Sequence, residues 1–149
     1  MLLAGVMAAA CGSGGVALSV WDNTAHGGAP STKRVIDAVA WSAPGAQLSS
    51  AELRTMITAP AFGRYAFECQ AEDASYIMWL DDHLLCGTDE LFSPAPSGGA
   101  APFPPWVELA EHEPHYLRVR LAHNETSPTD ASFRLRWSVN GSAFAALPA

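Results

Sequence analysis

One stretch near the end of the chain alternates strictly between apolar and charged side chains. This stretch, residues 116–122, alternates Leu117, Val119 and Leu121 with Arg118 and Arg120. A period of two places successive side chains on opposite faces of a β-strand, so one face is apolar and the other is wet. Strands of this kind are typical of antiparallel sheets that bury one face against a core. The chain is therefore predicted to build its core from such strands.

The same alternation recurs in two further segments, 65–71 and 132–138. Their apolar positions are Tyr65, Phe67, Cys69, Ala71, Phe133, Leu135 and Trp137. The alternate positions include the polar residues Glu68, Gln70, Arg134 and Arg136, which predict a solvent-facing side for each strand. We expect one hydrophobic core to contain four of these alternating apolar residues, namely Phe67, Leu117, Leu135 and Trp137.

Six more short segments predict strands, at 16–21, 35–41, 53–58, 76–80, 84–86 and 106–109. Turn residues such as Gly, Pro, Asn and Asp separate them. The only helix-like piece, around 49–56, is short. About nine short strands at this spacing predict an all-β fold, an antiparallel β-sandwich or barrel. The stretch 93–105 holds five prolines and two glycines and is predicted to be a loop.

Length and charge limit the classes of function. A chain of 149 residues is long enough for one domain and short for two. Fifteen acidic residues against eight Lys and Arg give a net charge of −7. Nucleic acid and anionic membranes both need a basic surface, so neither is predicted as a partner. An acidic surface instead suits neutral ligands and metal cations.

Residues 1–14 differ in composition from the rest of the chain. Leu2 to Ala10 is an apolar run of nine residues, which is too short to span a bilayer. Small residues follow it, as in the region after the apolar part of a signal peptide. We interpret 1–14 as a signal remnant or a linker from a longer protein, and 15–149 as the domain.

Five segments in chain order resemble the PA14 domain family. They are Gly15–Asn23, Arg34–Asp37, Thr58–Phe67, Ala71–Asp82 and the segment from Tyr116 to Ala149. The third is similar, position for position, to the family's Ala-Pro-x-x-Gly-x-Tyr-x-Phe. The resemblance implies a non-catalytic, extracellular carbohydrate-binding module, often part of a larger secreted protein. The alternative is a structural or protein-interaction domain of the same type with no sugar site, and an enzyme is a third, less favoured interpretation.

The resemblance also implies a calcium site. Glu72 and Asp73 stand where the family's acidic pair stands, and Asn124 matches a loop asparagine after the penultimate strand. Carboxylate and amide oxygens are the ligands that Ca²⁺ prefers, and a bound ion would offer further positions to sugar hydroxyls. We expect Glu72, Asp73 and Asn124 to lie on adjacent loops at one end of the fold. The alternative is a solvated hairpin turn with a surface asparagine.

Asn124 and Asn140 each begin an N-glycosylation sequon, Asn-Glu-Thr and Asn-Gly-Ser. A glycan on Asn124 would remove it as a calcium ligand, so the two interpretations exclude each other in one molecule.

Among the five tryptophans, Trp106 is the candidate for stacking on a sugar ring. It follows the proline-rich stretch, whereas Trp21, Trp41 and Trp137 are predicted to be in the core. Flat aromatic faces pair well with the apolar face of a sugar. We therefore assign sugar binding to Asp73 and Trp106, with packing at the start of a strand as the alternative for Trp106.

Two further groups of residues carry side chains that can bind a metal or react. Asp81, Asp82 and His83 lie between two apolar segments and predict a hairpin turn rather than a metal or acid–base cluster. If the protein is secreted, Cys69 and Cys86 are predicted to approach each other from strands on either side of the segment that begins at Tyr76. They form one disulfide or two buried free thiols.

Overall fold

A computed structural model of the chain describes residues 15–45, 48–88, 106–124 and 129–147. The predicted loop at 93–105 and the segment 1–14 lie outside the described residues. The strands within these ranges are β1 (Val16–Trp21), β2 (Thr32–Ile36), β3 (Ala40–Ala43), β4 (Ser50–Thr58), β5 (Gly63–Glu72), β6 (Ala74–Leu80), β7 (His83–Gly87), β8 (Trp106–Leu109), β9 (Pro114–His123), β10 (Ala131–Val139) and β11 (Ala145–Ala146).

The strands form two antiparallel sheets. The six-stranded sheet has the order β2-β1-β4-β9-β6-β7. The five-stranded sheet has the order β11-β10-β5-β8, and β3 also pairs with β10. The two sheets pack face to face, so the chain is an all-β sandwich, as the alternation predicted.

The core lies between the two sheets and takes the inward side chains of both. Phe67, Leu117, Leu135 and Trp137 all belong to it, and each is at most 6% exposed. Their register places the intervening arginines on the outer faces, where Arg134 is exposed and Arg118 is half-buried. The prediction that these four residues share one core is therefore confirmed, and so are the predicted faces of their strands.

Two predictions about strands need correction. The segment 35–41 was predicted as one strand, but the chain bends at 37–39, so β2 and β3 lie in different sheets. The helix-like piece at 49–56 is part of β4, which pairs with β1 on one edge and β9 on the other. Hydrogen bonding along both edges of a central strand outweighs the weak helical pattern of this segment.

The register of the strands defines two ends of the sandwich. β5 ends at Glu72, β6 starts at Ala74 and β9 ends at His123, so the links at these positions share one end. The start of β5 at Gly63 and the end of β10 at Val139 lie at the other end. No helix in the described part of the chain is long and apolar enough to cross a membrane.

Candidate functional site

Asp73 is the single residue that links β5 to β6. Its φ is 50°, in the left-handed region that few residues other than glycine adopt. Asp and Asn tolerate this region better than other side chains, because a short polar side chain can hydrogen-bond locally. The tight link fixes the Asp73 carboxylate at the end of the sandwich.

Asn124 lies at the same end of the sandwich, next to the start of β6. It directly follows β9, whose last residue, His123, pairs with Ala74 at the start of β6. The backbone N–H of Asn124 donates a hydrogen bond of 2.8 Å to the carbonyl oxygen of Asp73. The structure therefore brings together these two residues that the sequence assigned to one site.

Thr129 is a third oxygen-bearing residue at this end, and it was missed in the sequence. Its hydroxyl donates a hydrogen bond to Oδ2 of Asp73. Its carbonyl oxygen accepts a hydrogen bond of 2.7 Å from Nε2 of His123, whose side chain is buried. His123 and Asp73 thus hold Thr129 on both sides. No motif identified Thr129, because its approach to Asp73 joins residues that are 56 positions apart in the sequence.

Glu72 occupies a different surface from Asp73. It is the last residue of β5, and its alternation with inward-facing Ala71 places it on the outer face of the five-stranded sheet, opposite Ser132. There it is exposed and lines a shallow depression together with Arg134. A carboxylate in this position must turn around the end of β5 to join a cation held by Asp73.

The chemistry of the donors at this end fits a hard cation. Asp73 offers a carboxylate, Asn124 an amide carbonyl and Thr129 a hydroxyl, and Ca²⁺ accepts all three types of oxygen. No group of three His, Cys, Asp or Glu side chains within the described ranges could hold a metal ion. A cation at this end would therefore rely on mixed oxygen ligands, which suits Ca²⁺ better than Zn²⁺.

The loop between β1 and β2 borders the same end, because Trp21 pairs with Ser50 and Ser50 pairs with Ala122. The side chain of Asn23 organises this loop, since its Oδ1 accepts hydrogen bonds from the N–H groups of Ala25 and Gly27. A loop fixed by its own hydrogen bonds presents a preformed surface at the same end of the sandwich as Asp73.

His26 anchors the β1–β2 loop to β4. Its Nε2 lies 3.1 Å from the carbonyl oxygen of Ala51, and its ring packs edge-on against Trp21. Burial lowers the pKa of His26, which favours the neutral imidazole. Trp21 was predicted to be in the core, but it is only half-buried at the edge of this loop, and its indole N–H donates to Gly28.

Trp106 lies far from Asp73. It starts β8 and pairs with Ala66, seven residues before Asp73 along β5, which corresponds to about 23 Å at the rise of an extended strand. Its side chain is 39% exposed, and the guanidinium of Arg64 lies 3.9 Å from the ring centroid. One sugar ring cannot contact both Asp73 and Trp106, so the two residues assigned to sugar binding define two separate places.

Asp81 and Asp82 form the predicted hairpin turn between β6 and β7, with φ values of 51° and 64°. Oδ2 of Asp81 lies 2.6 Å from Nδ1 of His115, and Oδ1 accepts a hydrogen bond from the N–H of Tyr116. Burial alone would raise the pKa of Asp81, but these hydrogen bonds outweigh it and hold that pKa below its usual value. The Asp81 carboxylate is thus committed to fastening the turn to β9.

Several solved structures share this fold at low sequence identity. An anti-sigma factor domain-containing protein from Clostridium clariflavum is 14% identical, with a TM-score of 0.68 over 90% of this chain. The PA14 domain of the antifreeze protein MpAFP is 12% identical, with a TM-score of 0.63 over 91% of this chain and 87% of that one. A PA14 sugar-binding domain from an RTX adhesin is 12% identical, with a TM-score of 0.59, over 88% of this chain and 93% of that one.

These comparisons define the class of the fold. The chain is an antiparallel β-sandwich that carries polar loops at one end. More narrowly, it has the fold of PA14 domains, as the ordered motifs in the sequence predicted. The chain spans less than half, 45%, of the Clostridium protein. No protein-family model and no curated protein match the sequence.

Proposed function

We propose that the chain is an extracellular carbohydrate-binding module whose site lies at the Asp73 end of the sandwich. The observation that supports this most is the backbone hydrogen bond from Asn124 to Asp73, which brings a residue with a carboxylate and a residue with an amide together at this end. The adhesin domain with the same fold is described as sugar-binding, which adds support. Its adhesin context also supports a surface location and a place within a longer protein.

Calcium is part of the proposal. Asp73 and Asn124 would hold the ion, and Glu72 would join them by turning around the end of β5. When bound, Ca²⁺ would supply coordination positions for neighbouring hydroxyl groups of a sugar. The chain's own contribution is to fix Asp73 through its tight link and its hydrogen bond from Thr129, and to hold Asn124 through its backbone hydrogen bond to Asp73. The proposed activity is recognition without chemical conversion.

The proposal is tested by titrating Ca²⁺ into the protein calorimetrically, followed by a glycan array with calcium and with a chelator. Asp73→Ala removes the carboxylate at the centre of the site and is expected to abolish calcium binding and calcium-dependent glycan binding. Asp82→Ala is a matched control, because Asp82 also has a positive φ but lies in the turn at the opposite end. It is expected to bind like the wild type. Absence of binding heat at millimolar calcium, or unchanged binding by Asp73→Ala, would refute the calcium site.

The second candidate is a structural or protein-interaction module with no sugar site. The outward position of Glu72 favours it, because one of the two acids of the motif then faces the sheet surface rather than Asp73. A Glu72→Gln variant tests whether Glu72 turns into the site, in which case calcium binding is expected to weaken. A wild-type protein that binds no glycan, with calcium or with chelator, fits the second candidate.

A further inference from the structure

The outer face of the five-stranded sheet has a second concave surface, at the end opposite to Asp73. Its floor is made of two small residues, Ala66 on β5 and Ser138 on β10, which are directly paired across the two strands. Trp106 on β8 pairs with Ala66 from the other side. Ala66 is half-buried, and its small side chain leaves a trough between the larger ones, whereas Ser138 is buried and its hydroxyl donates to the carbonyl oxygen of Ser142.

Aromatic rings surround this floor. Trp106 stands on one side and Phe144 on the other, while Phe62 stands at the end and is 67% exposed. We call this surface the aromatic groove and define it by Phe62, Arg64, Ala66, Trp106, Ser138 and Phe144. Three exposed or half-exposed rings around one depression are costly to leave in water, which is typical of a ligand-binding surface.

The framework of the groove is fixed by Asn140 at the turn after β10. Its Oδ1 accepts a hydrogen bond of 2.9 Å from the N–H of Arg64, and its own N–H donates to the Arg64 carbonyl at 2.8 Å. The Asn140 amide packs so closely on Gly63 that a Cβ there would lie 2.7 Å from it. A side chain at position 63 would displace the Asn140 amide from Arg64, so the turn and the start of β5 depend on each other.

The groove also carries polar groups that can recognise hydroxyls. The Arg64 guanidinium lies over the Trp106 ring, and Glu108 pairs with Arg64 across β5 and β8. An ion pair between Arg136 and Glu68, with Arg136 5.9 Å from the Phe144 ring, borders the surface further along the strands. The charges of both signs balance locally, so the groove favours a neutral ligand rather than an anion or a cation.

From this combination we infer that the aromatic groove is a second carbohydrate site, one that binds a neutral sugar without calcium. A pyranose ring offers an apolar C–H face for stacking on Trp106 or Phe144 and hydroxyl groups for Arg64 and Glu108. The groove thus provides both an aromatic face and charged hydrogen-bonding groups, and a neutral sugar uses both. The inference goes beyond the proposed function, since it uses other residues, needs no metal and lies about 23 Å along β5 from Asp73.

The test uses the full chain and an array of neutral hexose and N-acetylhexosamine oligosaccharides, probed in the presence of EDTA. The best-binding glycan is then titrated calorimetrically into four variants. Trp106→Ala and Phe144→Ala are each expected to weaken binding by about tenfold, a size that fits the loss of one ring contact. Trp79→Ala is the matched control, because Trp79 also lies beneath an arginine, Arg118, but on the other sheet. Asp73→Ala completes the set.

The outcomes separate this site from the proposed calcium site. Binding in EDTA that falls in Trp106→Ala and Phe144→Ala, but not in Trp79→Ala or Asp73→Ala, supports the aromatic groove. The inference of a second sugar site is overturned if the wild type binds no glycan in EDTA, or if both groove variants bind as tightly as the wild type. Glycan binding that needs calcium and disappears in Asp73→Ala would support the proposed function while overturning the groove. Two variants at the groove guard against one of them failing to fold.

Discussion

Glu72 and Asp73 are neighbours in the chain but meet different surroundings. The strand alternation that holds up to the end of β5 sends Glu72 to the outer sheet face, and the left-handed φ of Asp73 redirects the chain immediately afterwards. The sequence predicted the pair and the partnership of Asp73 with Asn124. It could not predict which way the Asp73 carboxylate faces, because one backbone dihedral at the turn decides that.

The core prediction can be tested at a single residue. Phe67 is fully buried between the sheets, so Phe67→Ala removes contacts on all sides and leaves a cavity. We expect it to lower the free energy of unfolding by about 3–5 kcal/mol. Phe62→Ala is the matched control, because Phe62 is 67% exposed, and it is expected to change stability by less than about 0.5 kcal/mol. Urea unfolding measures both, and equal losses in the two variants would contradict the register of β5.

At the scale of the elements, strands with one wet face were the most predictable parts of the structure. β1 and β8 have the predicted bounds, and β9 and β10 extend the predicted segments by one or two residues at each end. The strand prediction for 35–41 was wrong, because this segment divides between β2 and β3. The bend between β2 and β3 carries the chain from one sheet to the other, and that choice depends on sheet partners far away in the sequence rather than on local pattern.

Cys69 and Cys86 form a contact between two strands, β5 and β7. Their sulfur atoms are 3.4 Å apart, with Cys69 on β5 in one sheet and Cys86 on β7 in the other, so the predicted approach is confirmed. Both are free thiols in this structure. The hydrogen bond between the thiols, together with burial, raises the pKa of Cys69, which keeps that thiol protonated and slows its attack on a disulfide.

We expect oxidised glutathione to convert this pair into a disulfide that joins the two sheets. One thiolate attacks the glutathione disulfide, the second displaces the remaining glutathione, and the protein loses two hydrogen atoms. Cross-linking residues 17 positions apart should stabilise the fold by about 3 kcal/mol. Urea unfolding with and without reductant measures the gain in a Cys11→Ser background, which removes the third cysteine. Cys86→Ser should show no redox dependence, and an unchanged intact mass after oxidation would contradict the prediction.

At the scale of the whole molecule, the sandwich separates two candidate binding surfaces by the length of β5. The Asp73 end depends on a tight link and on the hydrogen bonds of Asp73 with Asn124 and Thr129, whereas the aromatic groove depends on side chains that stand on paired strands. The described strands share one continuous core, so we expect the domain to unfold as one cooperative unit. A ligand that binds only the folded state at either end should then stabilise the whole domain.

Calcium should therefore raise the melting temperature if it binds at Asp73. A free concentration one hundred times the dissociation constant contributes about 2.7 kcal/mol, which corresponds to roughly 5–10 °C for a domain of this size. Differential scanning calorimetry with increasing Ca²⁺ measures the shift. Asp73→Ala should show none, because it lacks the central ligand, and Asp82→Ala should shift like the wild type. A wild-type melting temperature that stays constant up to millimolar calcium, or an equal shift in Asp73→Ala, would contradict a calcium site at this end and leave the aromatic groove unaffected.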